Sequence, residues 1–144
     1  MRYLTALSMF IGLGGVGFAV VNNACSIDMY KRADASIVTA AAGWRSLLGH
    51  WKTFASCDDG ALAEGYSDAV VTLLANRWDQ FDVFVALSER NPAFRRWAIR
   101  HIDATASSDD LEKIVRNAAR CAGRAKTKSL CGEVGSAARD ALND

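Results

Sequence analysis

The sequence predicts an all-α protein: a compact bundle of about five to six helices, disulfide-stapled, behind an N-terminal signal or anchor helix. Three observations carry that expectation. Apolar residues recur at three- and four-residue steps along most of the chain beyond Cys25, the period of a helix with one buried face. The 144 residues include a single proline, Pro92, and many alanines. An all-β sandwich needs turn punctuation every 8–12 residues or so, and alanine is the strongest helix former. Four cysteines follow a long uncharged segment, the pattern of a small domain stapled in an oxidising compartment.

The N-terminal segment comes first. Arg2 precedes Tyr3–Val21, an uncharged run of 19 residues with small side chains near Gly17 and Ala19. That is the layout of a secretory signal peptide. Residues 1–24 are therefore read as signal peptide or signal anchor, and 25–144 as a single helical domain. Cleavage after Ala19 has better flanks than cleavage after Ala24, because Asn22 stands three residues before the latter cut. Asn22 and Asn23 also argue against a lipoprotein cut before Cys25. The run matches the length of about 17–25 residues that spans a bilayer, so an uncleaved anchor is the alternative. Gly12, Gly14 and Gly17 spell G-x-G-x-x-G, but a dinucleotide turn needs a preceding strand, a following helix and an acid about 20 residues on. The first carboxylate after Gly17 is Asp28, 11 positions on, and no strand–helix alternation follows. No cofactor is expected. The expected location is the periplasm or the exterior; the alternative is an inner-membrane anchor with the domain outside the cytoplasm.

In the domain, Tyr30, Ile37, Trp44 and Trp51 fall seven apart, with Ala41 and Leu48 between them. This predicts a first helix reaching Trp51, with Asp34 a plausible N-cap and Gly43 and Gly49 as weak points. Cys57-Asp58-Asp59-Gly60 ends it. A second helix is expected over 61–78 on the stripe Tyr66, Val70, Leu73, Leu74, Trp78, with a short continuation through Phe84, Val85 and Leu87. Asn91-Pro92 restarts the chain, Pro suiting the first helical position. Phe94, Trp97, Ala98, His101 and Ile102 mark the next buried face. Ser107, three before Asp110, reads as a capping signature. Leu111, Ile114, Val115, Ala118 and Ala122 follow as an inward stripe, and Gly123 as its end. Arg124–Ser129 reads as a polar turn before a last helix on Leu130, Val134, Ala137, Ala138 and Ala141.

Four cysteines allow three pairings. Cys121 and Cys131 end and begin neighbouring antiparallel helices, so they are expected to bond to each other, leaving Cys25 with Cys57. A straight helix of 30 residues between the latter two would hold them about 45 Å apart, against a disulfide limit of about 7 Å. The pairing therefore requires the first residues to fold back or the helix to kink at Gly43. With no C-x-x-C pair, no metal site is expected.

The net charge of +1 hides a polarity. Residues 25–89 are net acidic, and 90–128 are strongly basic. Arg96 and Arg100, Arg116 and Arg120, each pair one helical turn apart, and Arg124 compose a candidate basic binding face. Two readings stand: a docking face for a protein partner with an acidic surface, or a solvated helix surface. Nucleic acid is not an expected partner, and a membrane enters only through an uncleaved N-terminal segment. His50 and His101 are the only histidines. His50 reads as a helix-end residue. His101 lies on an apolar stripe and reads as a core residue with one satisfied hydrogen bond. The four tryptophans also lie on stripes and read as core. No G-x-S-x-G, H-E-x-x-H or cysteine–histidine signature is present, so no catalytic residue is assigned. The expected function is a non-enzymatic interaction protein of the cell envelope, of the inhibitor, immunity or accessory-factor type. The alternatives are a small envelope enzyme using His101 with Asp103, and a membrane-anchored structural subunit.

Overall fold

The structure, a computed structural model, describes residues 24–121, 123 and 125–144. The N-terminal segment up to residue 23, Ala122 and Arg124 lie outside the described residues, and so do the expectations placed on them. Among the described residues seven α-helices form an all-α fold: α1 (Ile27–Ala40), α2 (Trp44–Phe54), α3 (Gly60–Asn76), α4 (Phe81–Arg90), α5 (Pro92–Arg100), α6 (Ser108–Ala119) and α7 (Ala125–Asn143). Short 3-10 turns at Ala55–Cys57 and Trp78–Gln80 lead into α3 and α4.

Seven helices replace the expected five to six because the first long stripe is cut. Ser26, not Asp34, caps α1: its side chain accepts from Met29 N, and Asp34 lies exposed inside the helix. The chain turns at Ala41-Ala42-Gly43. Ser46 Oγ lies 2.8 Å from both Ala40 O and Gly43 O and shares its proton between them, covering the Ala40 carbonyl at the end of α1; Gly43 O also accepts from Leu47 N. Gly43 is extended rather than left-handed, and a Cβ there would meet only the flexible end of the Gln80 side chain, 3.0 Å from Oε1. The turn brings the Cys25 and Cys57 Cα atoms to 4.8 Å, as the pairing required.

α3 is the axis of the fold. Nine of its residues are buried, including Leu62, Tyr66, Ser67, Val70 and Leu74, so it is apolar nearly all round, the mark of a helix inside the protein. Both its ends are held by other helices. Tyr30 OH accepts from Leu62 N (3.2 Å), and Asn117 Nδ2 donates to Leu74 O and Ala75 O. An aromatic cluster ties α2 to α4 and α5: Trp44 stacks on Phe84 at 4.1 Å, and Phe94 on Trp97 at 5.3 Å, beneath a half-buried Trp51. Trp44 and Trp97 are core as expected, whereas Trp51 and Trp78 are only half buried at its rim.

At α6, Ser107 accepts from Asp110 N (3.2 Å) and donates to Asp110 Oδ2 (3.0 Å), so the capping signature is real. α6 ends at Ala119, before Gly123, which adopts φ +132. α7 begins at Ala125, so most of the expected polar turn is helix. The two helices pack as a close hairpin, with Gly135 against Ala118 and the Cys121–Cys131 bond across its open corner. Both disulfides are those expected, and two such bonds belong to an oxidising, extracytoplasmic environment. Among the described residues no helix is long and apolar enough to cross a membrane.

Candidate functional site

Two features bear on function: a polar node against α3 and a groove along α4. The node grows from the segment between α2 and α3. Cys57 is fixed by its disulfide, Asp59 caps α3 by accepting from Gly60 N (2.8 Å), and Gly60 takes the left-handed φ of +53. Asp58, between them, points at α5. Its Oδ2 accepts from Trp97 Nε1 (2.8 Å) and faces His101 Nε2 (3.0 Å). On the other side of the ring, His101 Nδ1 lies 2.9 Å from Ser67 Oγ, which donates to Asp103 Oδ2 at 2.7 Å. Thr105 N and Oγ1 donate to Asp103 Oδ1. Asp58 and Ser67 lie close in sequence, but His101 is 34 positions beyond Ser67 and 43 beyond Asp58; burial of Trp97 and α3 brings them together.

His101 is thus a core residue, 8% exposed, but it makes two hydrogen bonds rather than the expected one, both to side chains. Burial raises the Asp58 carboxyl, but His101, by hydrogen bond and charge, then Trp97 and Arg100, outweigh it and hold Asp58 below the usual carboxylate range. Burial also raises Asp103, but hydrogen bonds from Thr105 and Ser67 outweigh it and hold Asp103 below the usual carboxylate range. With both acids ionised, Ser67 O–H is taken by Asp103. Ser67 is only 4% exposed, and its hydroxyl is committed to a carboxylate. The hydroxyl so engaged links Asp103 to the His101 ring. A shallow pocket of about 320 Å³ opens over the node, with Arg100 and Glu64 at its edge.

His50 is not a helix-end residue. It is buried within α2; Nε2 donates to Ala33 O (3.1 Å), and Nδ1 accepts from Tyr66 OH (2.8 Å). Burial lowers its pKa against the raising effect of the Ala33 carbonyl. Tyr66 is pushed well above the ordinary phenol range by burial and then by the Asp58 charge.

The groove runs between α4 and the corner joining α6 to α7. Its middle, about 640 Å³, is walled by Asp82, Val85, Ala86 and Glu89 on one side and by Ala125, Lys126 and Thr127 on the other. At one end it continues past Asp82 and Thr127 into a recess of about 260 Å³ beside Trp78, Phe81 and Arg120. At the other it continues past Val85 and Lys126 into one of about 210 Å³ bounded by Ser88, Arg95, Ser129 and Leu130. No single signal in the sequence marks this groove, because it needs the short α4 to lie beside the N-terminal turns of α7.

The predicted basic residues are divided. Arg96 and Arg100 are exposed on α5, Arg100 at the edge of the node's pocket. Arg116 is exposed on α6 and pairs with Glu112 at 3.2 Å. Arg120 borders the groove, which shares no lining residue with the pocket at Arg100. Among the described residues, no three His, Cys, Asp or Glu side chains are grouped as metal ligands. Comparison with protein-family models, with curated proteins and with solved structures returned no match.

Proposed function

We propose that the chain is an exported, non-enzymatic helical interaction protein of the cell envelope, an inhibitor, immunity or accessory factor that docks a protein partner in the α4–α7 groove. The observation that carries this reading is the groove itself. Its central part alone is about 640 Å³, with an apolar floor at Val85 and Ala86 and charged edges at Asp82, Glu89 and Lys126. An apolar strip between charged rims is the form in which an amphipathic segment of a partner is received. Arg120 and Lys126, both exposed, offer its basic edge to an acidic partner. In this reading the N-terminal segment is a signal peptide cut near Ala19 or Ala24, which leaves the domain periplasmic or secreted.

The test is site-specific photo-crosslinking in cells. A crosslinker at Ala86 is expected to give one discrete adduct, a crosslinker at Val38 on α1 none, and Arg120→Ser with Lys126→Ser is expected to abolish the adduct. Loss of the adduct on Arg96→Ser with Arg100→Ser alone would move docking to α5. No adduct from Ala86 would refute the reading. N-terminal sequencing of the mature protein checks the cut, and a retained Met1 at the membrane would establish an anchored subunit instead.

A second reading, acid–base chemistry at His101 with Asp103, draws on the Ser67–His101–Asp58 chain of hydrogen bonds. It requires His101 to be reachable through the pocket over the node and so to be carbethoxylated by diethyl pyrocarbonate in the folded protein, and an unmodified His101 removes it.

A further inference from the structure

The recess at the Ser88 end of the groove has an unusual wall. Ser88 is 3% exposed, and its Oγ finds no hydrogen-bond partner among the described residues. A buried serine in a helix ordinarily bonds back to a carbonyl one turn earlier, and a buried hydroxyl left unpaired costs about 1–3 kcal/mol. Ser88 instead borders a recess of about 210 Å³. A water's share of liquid is about 30 Å³, so the recess has room for a side chain.

Its other polar walls are the donors Lys126, Arg95 and Ser129, with one carboxylate, Glu89, among them. Lys126 reaches Glu89 at 3.4 Å, with both side chains largely in solvent. Such a pair is worth at most about 1 kcal/mol, so a competing carboxylate can replace Glu89 at little cost. Arg95 gives Nε–H and one Nη2–H to Glu133. A guanidinium has five N–H donors, which leaves three. Ser129 Oγ makes only a long contact of 3.5 Å, also to Glu133. The recess also lies beside the first turns of α7, where backbone N–H groups lack helical acceptors and the helix end is positive.

We infer that this recess is the specificity pocket of the groove, and that it takes an acidic side chain, Asp or Glu, of the docked partner. The carboxylate accepts from Lys126 Nζ and the spare Arg95 N–H groups, and from Ser88 Oγ once that side chain rotates, since the Oγ itself has almost no accessible surface; Val85 and Leu130 cover its methylenes. The inference rests on the groove being the docking site, and it names the partner's chemistry there.

The experiment is an NMR titration of the disulfide-intact protein with capped single residues. N-acetyl-glutamate α-amide is expected to shift the amides of Ser88, Lys126 and Ser129 and the Arg95 Nε–H saturably, with Kd on the order of 1–10 mM. N-acetyl-glutamine α-amide, equal in shape but neutral, is expected to bind at least fivefold more weakly. Ser88→Ala and Lys126→Gln should each weaken the acid by threefold or more. Lys126 is exposed, so its variant reads the site without threatening the fold. Equal shifts from acid and amide, shifts that do not saturate, or unchanged binding by both variants would overturn the inference. Binding by N-acetyl-alanine with its free α-carboxylate, and not by the glutamate probe, would overturn it too, because the site would then read a chain end. If the probes fail while the Ala86 adduct persists, the pocket is wrong and the groove stands; if the probes bind and the adduct is absent, the reverse holds.

Discussion

If the polar node is a clamp, cutting it at His101 has a calculable cost. His101→Leu keeps the ring's approximate volume and removes both nitrogens. Asp58 Oδ2 then keeps only Trp97 Nε1, while Asp58 Oδ1, already buried, has no partner among the described residues. A hydrogen bond to a charged group contributes about 1.5–3 kcal/mol, and the lost contact to Ser67 adds about 0.5–1 kcal/mol. The Asp58 side chain is 19% exposed, so water recovers part of its solvation. The expected loss is about 3 kcal/mol. With a urea m-value of about 1.5 kcal/mol/M, the midpoint falls by about 2 M at unchanged m. The assay is urea unfolding at pH 7 under non-reducing conditions, followed by tryptophan fluorescence and far-UV circular dichroism together. A double-mutant cycle with Asp58→Asn isolates the pair. Asp58→Asn is expected to cost much less in the His101→Leu background than alone, with a coupling of about 1.5 kcal/mol or more. A loss below about 0.5 kcal/mol, or strict additivity with Asp58→Asn, would refute the clamp.

The remaining predictions concern pH, staples and glycines. Asp58 and Asp103 are held below the ordinary carboxylate range, so the unfolded chain takes up protons first as pH falls; their contribution is complete above the unfolded pKa of about 4 and is lost below it. His50 is lowered too, so its contribution is present above about pH 6.5 and is lost as pH falls from there. Melting temperature against pH should therefore decline in two limbs, with His50→Gln removing the upper and Asp103→Asn flattening the lower; a flat profile from pH 7 to 3 contradicts this. The disulfides close loops spanning 32 and 10 residues. Loop entropy gives about 3.7 and about 2.7 kcal/mol, so Cys25→Ser with Cys57→Ser should destabilise by at least about 1 kcal/mol more than Cys121→Ser with Cys131→Ser, as read by denaturant midpoints. In α7, a Cβ at Gly132 meets nothing within 4 Å, whereas at Gly135 it would come 3.0 Å from Ala118 Cβ. Gly132→Ala should stabilise by about 0.5–1 kcal/mol, and Gly135→Ala should destabilise despite the same gain in helix propensity; thermal melts of the two variants, if of equal sign, would refute the packing argument.

The sequence carried the fold class because helical period, cysteine count and capping chemistry are local. The stripe of Tyr30, Ile37, Trp44 and Trp51 does face inward, although the helix breaks between Ile37 and Trp44. Periodicity survives such a break, since the turn redirects the chain while the same side chains stay inside; only Gly43 and Ser46 betray it. The start of α7 was illegible for the opposite reason. Its first turn is polar and exposed, so no stripe announces it. At the node, His101 and Asp103 were visible as a pair, but their partners were not. Asp58 looked like part of a helix terminator, and Ser67 carried no expectation. One signal was available: Ser67, Val70, Val71 and Leu74 keep helical spacing, which puts a hydroxyl on a buried face, where it needs a partner.

The segment Cys57-Asp58-Asp59-Gly60 joins these levels. Cys57 anchors it to the start of α1, Asp58 reaches Trp97 and His101, Asp59 caps α3, and Gly60 supplies the left-handed residue that lets the cap enter the helix. Four successive residues thus fix the entry to the central helix from four directions. Because Asp58 adjoins Cys57, opening the Cys25–Cys57 bond releases the carboxylate as well as the loop. Stability lost on opening that bond should therefore include part of the Asp58–His101 coupling, a term that loop entropy does not contain. The 10-residue loop at Cys121–Cys131 has no such neighbour in the node, so its loss should follow the entropy alone. The two staples differ, then, in kind as well as in loop length: one holds a polar interior in register, and the other closes a helical hairpin beside the groove.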